Sequence, residues 1–153
     1  MSVAFRRDSD EEHLEPRFEL PIPAGPNLVT AAGLAQAEAR VAELTAMAAT
    51  QSDEARLAET MRTLRYWRTR LATAELAPPP PESQVAFGSR VRFRLNGKEQ
   101  SIDIVGDDEA APADGRIAFS APLARALIGA AVGDHADFAG AADAIEVLDI
   151  ASI

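Results

Sequence analysis

The chain has 153 residues, which is enough for one ordinary domain or two small ones, and 47% of them are hydrophobic. It contains no cysteine, which excludes disulfides, thiolate metal sites and a cysteine nucleophile. The net charge is −9, with −3 in residues 1–26, zero in residues 27–76 and −6 in residues 77–153. An acidic carboxy-terminal half argues against specific binding of duplex DNA, which requires a basic face. No apolar stretch approaches a membrane span or a signal peptide, so we expect a soluble cytoplasmic protein with no membrane partner.

Residues 1–26 combine charged side chains with four prolines and show no sustained periodicity. This composition predicts a mobile or loosely docked acidic tail. Phe5 and Phe18 are its candidate anchors.

The segment 27–77 predicts an antiparallel helical hairpin, with helix starting from Leu28. Apolar residues recur at three- and four-residue steps in its first half, and leucines at seven-residue steps in its second half. These positions are Leu34, Ala37, Val41, Leu44 and Ala48, then Leu57, Leu64 and Leu71, with Met61, Trp67 and Ala74 on the same side. The polar break "ATQSDEA" between the two stripes is short enough to bring them together as a coiled coil.

Pro78 to Pro81 end the second helix, and residues 78–82 predict a stiff linker. Residues 83–153 predict a second domain in which the hydrophobic period changes to two. Arg90 to Leu95 alternates as a strand, Asn96–Gly97 indicates a hairpin turn, and Ile102 with Ile104 marks the returning strand. Further strands are expected at Ile117 and Phe119 and at Ile145 and Val147, with a short helix over "PLARALIG" between them. The expected class is α+β, an antiparallel sheet with one short helix.

Four strings in this half occur in a characteristic order: "VAFGSRVRF", "IVGDDEA", "APLARALIG" and "VGD". In that order and spacing they resemble the carboxy-terminal domain of the bacterial Gre transcription elongation factors, and the hairpin lies where that family has its arm. The resemblance implies an FKBP-like fold for residues 83–153. It also implies a partner, RNA polymerase, with the chain acting at the rim of the secondary channel and not as an enzyme in its own right.

The tip of the arm departs from that family. Gre factors place two acids there that help hold a second Mg²⁺ at the polymerase active site, in a motif close to Asp-Leu-Ser-Glu-Asn-Ala-Glu-Tyr. No such string occurs here, and the nearest acids are Asp53 and Glu54. They are candidates for the same role, which would involve the polymerase Mg²⁺, since the chain is expected to have no cofactor or metal of its own. The alternative is that they cap the second helix.

Two further groups of residues are candidate contacts. Arg62, Arg65 and Arg68 step by three along the second helix and could contact backtracked RNA, although a solvated face paired with Glu38, Glu43 and Glu59 is the alternative. By resemblance, the polymerase-docking candidates are Asp107, Asp108, Glu109, Ser120, Pro122 and Arg125. Ala121 stands where the family usually has a serine before this proline. Nothing near the three acids supplies a nucleophile or an orienting base, so they are not expected to be catalytic.

Gly33 resembles the early helix glycine of the family, and Ala74 falls near the end of its second helix. Between them the hairpin is about 20 residues shorter than in cleavage factors, which shortens the arm by about 15 Å. The sequence therefore predicts a regulator of elongation that binds RNA polymerase without strongly stimulating transcript cleavage. The alternatives are a true cleavage factor using Asp53 and Glu54, and a channel competitor like the regulator of nucleoside diphosphate kinase. A peptidyl-prolyl isomerase would follow from the fold alone, and fold does not fix function.

Overall fold

The computed structural model describes residues 19–153, so the candidate tail anchors Phe5 and Phe18 lie outside the described residues. Its first large element is the expected antiparallel helical hairpin, formed by α1 (Ala31–Thr50) and α2 (Glu54–Thr73). Each helix of 20 residues is about 30 Å long. No helix in this part of the chain is both long and apolar enough to cross a bilayer.

Side-chain caps define where both helices begin. The Gly33 amide donates to the Thr30 hydroxyl at 3.1 Å, and the Arg56 amide donates to the Asp53 carboxylate at 3.0 Å. Such caps satisfy amides that have no partner within the first helical turn. Only residues 51–53 separate the two helices, which is why they fold back against each other.

The predicted apolar stripes meet between the helices. Ala37, Leu44 and Leu64 are buried at this contact, and the other stripe residues are half-buried. Two of the five residues of the α1 stripe are alanine, which lets the helices approach closely there but buries little area. Leu64, which is 1% exposed, is therefore the main hydrophobic anchor of the hairpin.

The start of the hairpin differs from the expectation that helix begins at Leu28. Leu28–Val29 instead forms a short strand, β1, which pairs in parallel with β2, Glu75–Leu76. The amide of Glu75 donates to the Asn27 carbonyl at 2.8 Å, so the entry and exit of the hairpin are tied together. Helix cannot begin before its cap at Thr30, and the backbone groups on either side find partners in each other.

The carboxy-terminal half is a five-stranded sheet with one helix. Its strands are β3 (Ser89–Leu95), β4 (Lys98–Val105), β5 (Arg116–Ala118), β6 (His135–Phe138) and β7 (Ala141–Ser152), in the order β5-β4-β3-β7-β6. The predicted turn at Asn96–Gly97 is confirmed, since both residues have positive φ (49° and 84°) between the antiparallel strands β3 and β4.

Two features of this sheet differ from the sequence prediction. β5 pairs in parallel with β4, so the sheet is mostly and not purely antiparallel. β6 was not anticipated, because its four residues alternate weakly and lie among turn residues. The parallel pairing requires a crossover between β4 and β5, and two single 3₁₀ turns, Asp107–Glu109 and Pro112–Asp114, provide it.

The core of this domain lies between one face of the sheet and α3 (Pro122–Leu127), the predicted short helix. Phe93, Ile104 and Ile145 are fully buried from the sheet, and Ala124 and Leu127 pack onto them from the helix. Residues 77–88 carry the chain from the hairpin to this domain, and Val85 anchors their end by exchanging hydrogen bonds with Gly129 and Ala130. The expected α+β architecture is therefore confirmed.

The hairpin depends on its leucine seam more than on its arginines. We expect Leu64→Ala to lower the free energy of unfolding by about 2–4 kcal/mol, because it leaves a cavity between the helices. Thermal unfolding followed by the fluorescence of Trp67, the only tryptophan, measures this loss. Arg68→Ala is the control on the exposed side of the same helix, and we expect it to change stability by less than about 0.5 kcal/mol. Equal losses in the two variants would contradict the assignment of the buried face.

Candidate functional site

The three acids of "IVGDDEA" occupy the single 3₁₀ turn that follows β4, Asp107–Glu109. This turn lies against the base of the hairpin, and each carboxylate points to a different partner. The sequence predicted all three as docking residues. The structure gives two of them a role within the chain itself, as the joint between hairpin and sheet domain.

Asp108 contacts the second helix of the hairpin. Its Oδ2 accepts a hydrogen bond from Arg70 Nε at 2.5 Å, and its Oδ1 accepts one from the Tyr66 hydroxyl. The Arg70 residue is only 2% exposed and the Asp108 side chain 17%, so this is a largely buried ion pair. A buried pair of this kind is stable only while both partners are present, because either charge alone would be left in a medium of low polarity.

The same environment changes the pKa of the Tyr66 hydroxyl. Burial, followed by the hydrogen bond to Asp108, raises the pKa of Tyr66 to about 12. Both causes act in the same direction, because burial disfavours the phenolate and a neighbouring carboxylate repels it. Tyr66 is therefore a neutral hydrogen-bond donor throughout the physiological range.

Glu109 contacts the start of the first helix. Its carboxylate accepts hydrogen bonds from the Thr30 amide and the Gly106 amide, both at 3.1 Å, and from the Thr30 hydroxyl. Gln36 adds a bond from its side-chain amide to the carbonyl of Asp108 at 3.2 Å. Adjacent acids of one turn thus hold the two helices of the hairpin.

Two glycines allow this close approach. A Cβ atom on Gly33 would lie 2.3 Å from the Glu109 carboxylate, and one on Gly106 would lie 2.5 Å from the Leu28 carbonyl oxygen. Both distances are far below van der Waals contact, so a side chain at Gly33 would displace the Glu109 carboxylate, and one at Gly106 would collide with the Leu28 backbone. The cavity left at the joint is only about 10 Å³, close to the minimum that holds one water molecule.

Sequence reasoning missed the partners of these acids. Tyr66 and Arg70 are four residues apart and so share one face of α2, which was the available signal. Arg70 falls outside the three-residue steps of Arg62, Arg65 and Arg68. Its burial depends on a turn 38 residues away, which no local pattern reveals.

The remaining docking candidates surround the first turn of α3. The Ser120 hydroxyl donates to Asp107 at 2.7 Å, Pro122 occupies the first helical turn, and Arg125 is exposed. Asp107 also lines the small cavity at the joint, so these candidates adjoin the contacts of Asp108 and Glu109. Their role in docking stays a prediction.

The three candidate RNA-contacting arginines lie on α2. Arg65 and Arg68 are exposed and Arg62 is half-buried. Arg65 pairs with Glu19 at 2.8 Å and not with the acids expected from the sequence, and Glu43 pairs with Arg40. Arg40 also lies 5.7 Å from the centre of the Trp67 ring, a cation–π contact between the helices.

At the tip of the hairpin, Asp53 is the amino-terminal cap of α2 and Glu54 is the first residue of that helix. Asp53 therefore caps the helix, as the alternative interpretation of the sequence predicted. Within residues 19–153 no three His, Asp or Glu side chains are grouped closely enough to hold a metal ion.

The joint should be sensitive to loss of a single partner. We expect Arg70→Met to lower the free energy of unfolding by about 2–3 kcal/mol, because Asp108 would keep a partly buried charge without its counter-ion. Chemical denaturation followed by Trp67 fluorescence measures the change. Arg92→Met is the matched control, since the Arg92–Glu99 pair is about half exposed on the sheet and should contribute little. A loss no larger than that of the control would show that the joint does not depend on the ion pair.

Tyr66 is the only tyrosine, so its ionisation can be followed directly by ultraviolet absorbance. We expect a midpoint near pH 12 in the native protein and near the ordinary value of about 10 in denaturant. Since the folded pKa is the higher one, the stability that it contributes is complete below about pH 10 and is lost as the pH rises toward 12. Asp108→Asn should lower the native midpoint. A native midpoint near 10 would exclude the buried hydrogen bond.

Comparison with known proteins identifies the carboxy-terminal half. Residues 80–152 match the family described as transcription elongation factor GreA/GreB, C-terminal. Transcription elongation factor GreA of Sinorhizobium medicae is 42% identical over 72 residues, which cover 44% of this chain and 46% of that protein. Transcription elongation factor GreB of Yersinia pestis is 42% identical over 83 residues, which cover 52% and 48%. The chain spans about half the length of the curated relatives that it matches.

Among solved structures, GreA factor homolog 1 (Gfh1) of Thermus thermophilus is 20% identical, with 84% of this chain and 100% of that chain covered and a TM-score of 0.39. The fold described above follows from the helices and strands of this chain and does not depend on that structural similarity. Its carboxy-terminal domain carries the sequence match, at about 40% identity to both GreA and GreB proteins. The carboxy-terminal domain, residues 80–152, is therefore similar to the carboxy-terminal domain of the GreA/GreB transcription elongation factors.

Proposed function

We propose that this protein binds RNA polymerase at the rim of the secondary channel and modulates elongation without strongly stimulating transcript cleavage. The chain is not an enzyme in this proposal, and the only metal involved is the polymerase's own Mg²⁺. Support comes from the GreA/GreB domain and from the order of the two parts, a helical arm followed by that domain.

The observation that carries the proposal is the geometry of the arm. Asp108 and Glu109 fix the base of the hairpin on the domain that would dock. From Tyr66 at that joint to Asp53 at the tip, α2 advances 13 residues, or about 20 Å. The reach of the tip into a channel is therefore set by the length of the helices and not by a free hinge.

The tip itself is poorly suited to metal assistance. One Asp53 oxygen already accepts the Arg56 amide at 3.0 Å, and giving up such a cap costs about 1 kcal/mol. Carboxylates bind Mg²⁺ at about 2 Å, so an arm that is several ångströms short cannot be corrected by side-chain rotation. Glu54 is exposed at the tip and is the carboxylate on which the alternative cleavage function would depend.

The docking surface in this proposal centres on the first turn of α3. The bonded pair Asp107–Ser120, with Pro122 and Arg125, presents both charges and an apolar edge. Asp108 and Glu109 act indirectly, by orienting the arm relative to this surface. This assignment suits a channel competitor, since a docked short arm would occupy the rim and exclude a longer one. The arginines on α2 would face any extruded RNA.

The test is a stalled, backtracked elongation complex supplied with Mg²⁺. We expect this protein alone to leave the RNA length unchanged, because its tip does not complete the metal site. When it is added before an authentic cleavage factor, we expect cleavage to slow as the two compete for the channel. The cleavage rate on a denaturing gel is the measurement.

Arg125→Glu should weaken this competition about fivefold through loss of charge complementarity, and Arg92→Glu on the sheet provides a control with the same charge change. Shortening of the RNA by this protein alone, abolished by Asp53→Ala and Glu54→Ala, would overturn the proposal and support the cleavage factor. Absence of any competition would argue against binding at the channel.

A further inference from the structure

A small cavity lies inside the joint between hairpin and sheet domain, and a buried oxygen beside it has no partner. The cavity has a volume of about 10 Å³, and its lining includes Asn27, Arg70 and the three acids of the turn after β4. Asn27 is only 6% exposed. Within the described residues 19–153, its Oδ1 atom is the one buried side-chain nitrogen or oxygen without a hydrogen-bond partner. A buried acceptor of this kind is normally paired with a protein group or with an ordered water.

The neighbours of Asn27 fix the orientation of its side-chain amide. Nδ2 donates to the Arg70 carbonyl at 2.8 Å and to the Thr73 hydroxyl at 3.2 Å. That hydroxyl itself donates to the Thr69 carbonyl at 2.8 Å. A flipped amide would place Oδ1 against a carbonyl, which can only accept, and against a hydroxyl whose proton is already used. Oδ1 must therefore face away from these two groups, and its partner has to come from another direction.

Arg70 supplies the complementary group at the same cavity. Its Nε is bonded to Asp108 at 2.5 Å, and the terminal N–H groups of the guanidinium are further donors. The carboxylates of Asp107 and Glu109 also line the cavity, and in their charged form they can only accept. The cavity thus combines the unpaired acceptor of Asn27 with a cationic donor and with additional acceptors.

These groups select one class of ligand. A cation would lie against the Arg70 guanidinium, and an anion would lie against the carboxylates of Asp107, Asp108 and Glu109. A volume of about 10 Å³ admits one water and excludes a larger polar molecule. We propose that the joint binds one ordered water, which donates to Asn27 Oδ1 and accepts from a terminal nitrogen of Arg70.

This water is a third link in the joint. Asp108 holds α2 and Glu109 holds the start of α1, whereas Asn27 lies directly before β1. Through the water, the guanidinium of Arg70 is connected to the segment that leads into the hairpin. A buried water commonly makes about three hydrogen bonds, so its second proton is directed to an acceptor of the turn. The inference does not depend on the proposed function, since it concerns the base of the arm alone.

The direct test is diffraction from crystals of the full-length protein. X-ray data that resolve ordered waters should show a water oxygen about 2.8 Å from Asn27 Oδ1 and within hydrogen-bond distance of a terminal nitrogen of Arg70. Neutron diffraction after exchange into heavy water should show one deuterium directed at Oδ1. The absence of this water, or a direct bond from a protein donor to Oδ1, would overturn the inference.

Magnetic relaxation dispersion of the water oxygen nucleus counts long-lived waters in solution and does not respond to exchanging hydroxyl protons. Asn27→Leu removes the acceptor at nearly constant volume, and we expect it to lower the dispersion amplitude by about one water per molecule. Thr73→Val is the matched control, because it removes the second partner of Nδ2 and keeps Oδ1. Its amplitude should equal that of the native protein. An unchanged amplitude in Asn27→Leu, or an equal loss in both variants, would contradict the proposed site.

Asn27→Leu also removes the bond to the Arg70 carbonyl, so the melting curve of Trp67 fluorescence first verifies that the variant is folded. If it does not fold, diffraction from the native protein still decides between the two outcomes. Neither experiment contains polymerase. Their failure would leave the proposed function untouched, and a failed cleavage assay would leave this inference untouched.

Discussion

The guanidinium of Arg70 is almost excluded from water, and its stability depends on the Asp108 carboxylate 2.5 Å away. Burying an unpaired arginine would cost several kcal/mol, so α2 cannot rotate or slide without losing that partner. The Tyr66 hydroxyl occupies the second oxygen of Asp108 and leaves little freedom in the pair. This single contact determines which face of the hairpin meets the sheet domain, and hence the direction in which the arm extends.

The second half of the joint acts on the other helix. The Glu109 carboxylate accepts hydrogen bonds from the backbone amides of Thr30 and Gly106. These two residues lie outside the helices and strands, so these amides depend on the Glu109 side chain. Gly33 permits this contact because any side chain there would collide with the carboxylate. Since adjacent residues of one turn hold both helices, and β1 pairs with β2 beside them, the arm and the domain form one continuous unit.

Some of the charged residues hold the hairpin against the sheet domain, and others are exposed to solvent. Asp108 and Glu109, in the turn after β4, bind groups of the hairpin and are therefore not free surface charges. Asp107 is half-buried, whereas Pro122 and Arg125 of α3 and Arg65 and Arg68 of α2 are exposed. At the tip of the arm, Asp53 caps α2. Exposed docking candidates such as Pro122 and Arg125 can therefore be altered without removing a hydrogen bond of the joint.

The sequence by itself determined the two helices and their break, the proline boundary, the Asn96–Gly97 hairpin and the helix at Pro122, because caps, turn residues and hydrophobic periods act over a few neighbouring residues. It also supplied the family resemblance through strings that lie within single elements. Only the tertiary structure decided the pairing of β1 with β2, the parallel addition of β5 to β4, and the partner of Arg70. These contacts join residues that are 13 to 47 positions apart. Their energies depend on burial and on the exact placement of both partners, and a one-dimensional pattern contains neither quantity.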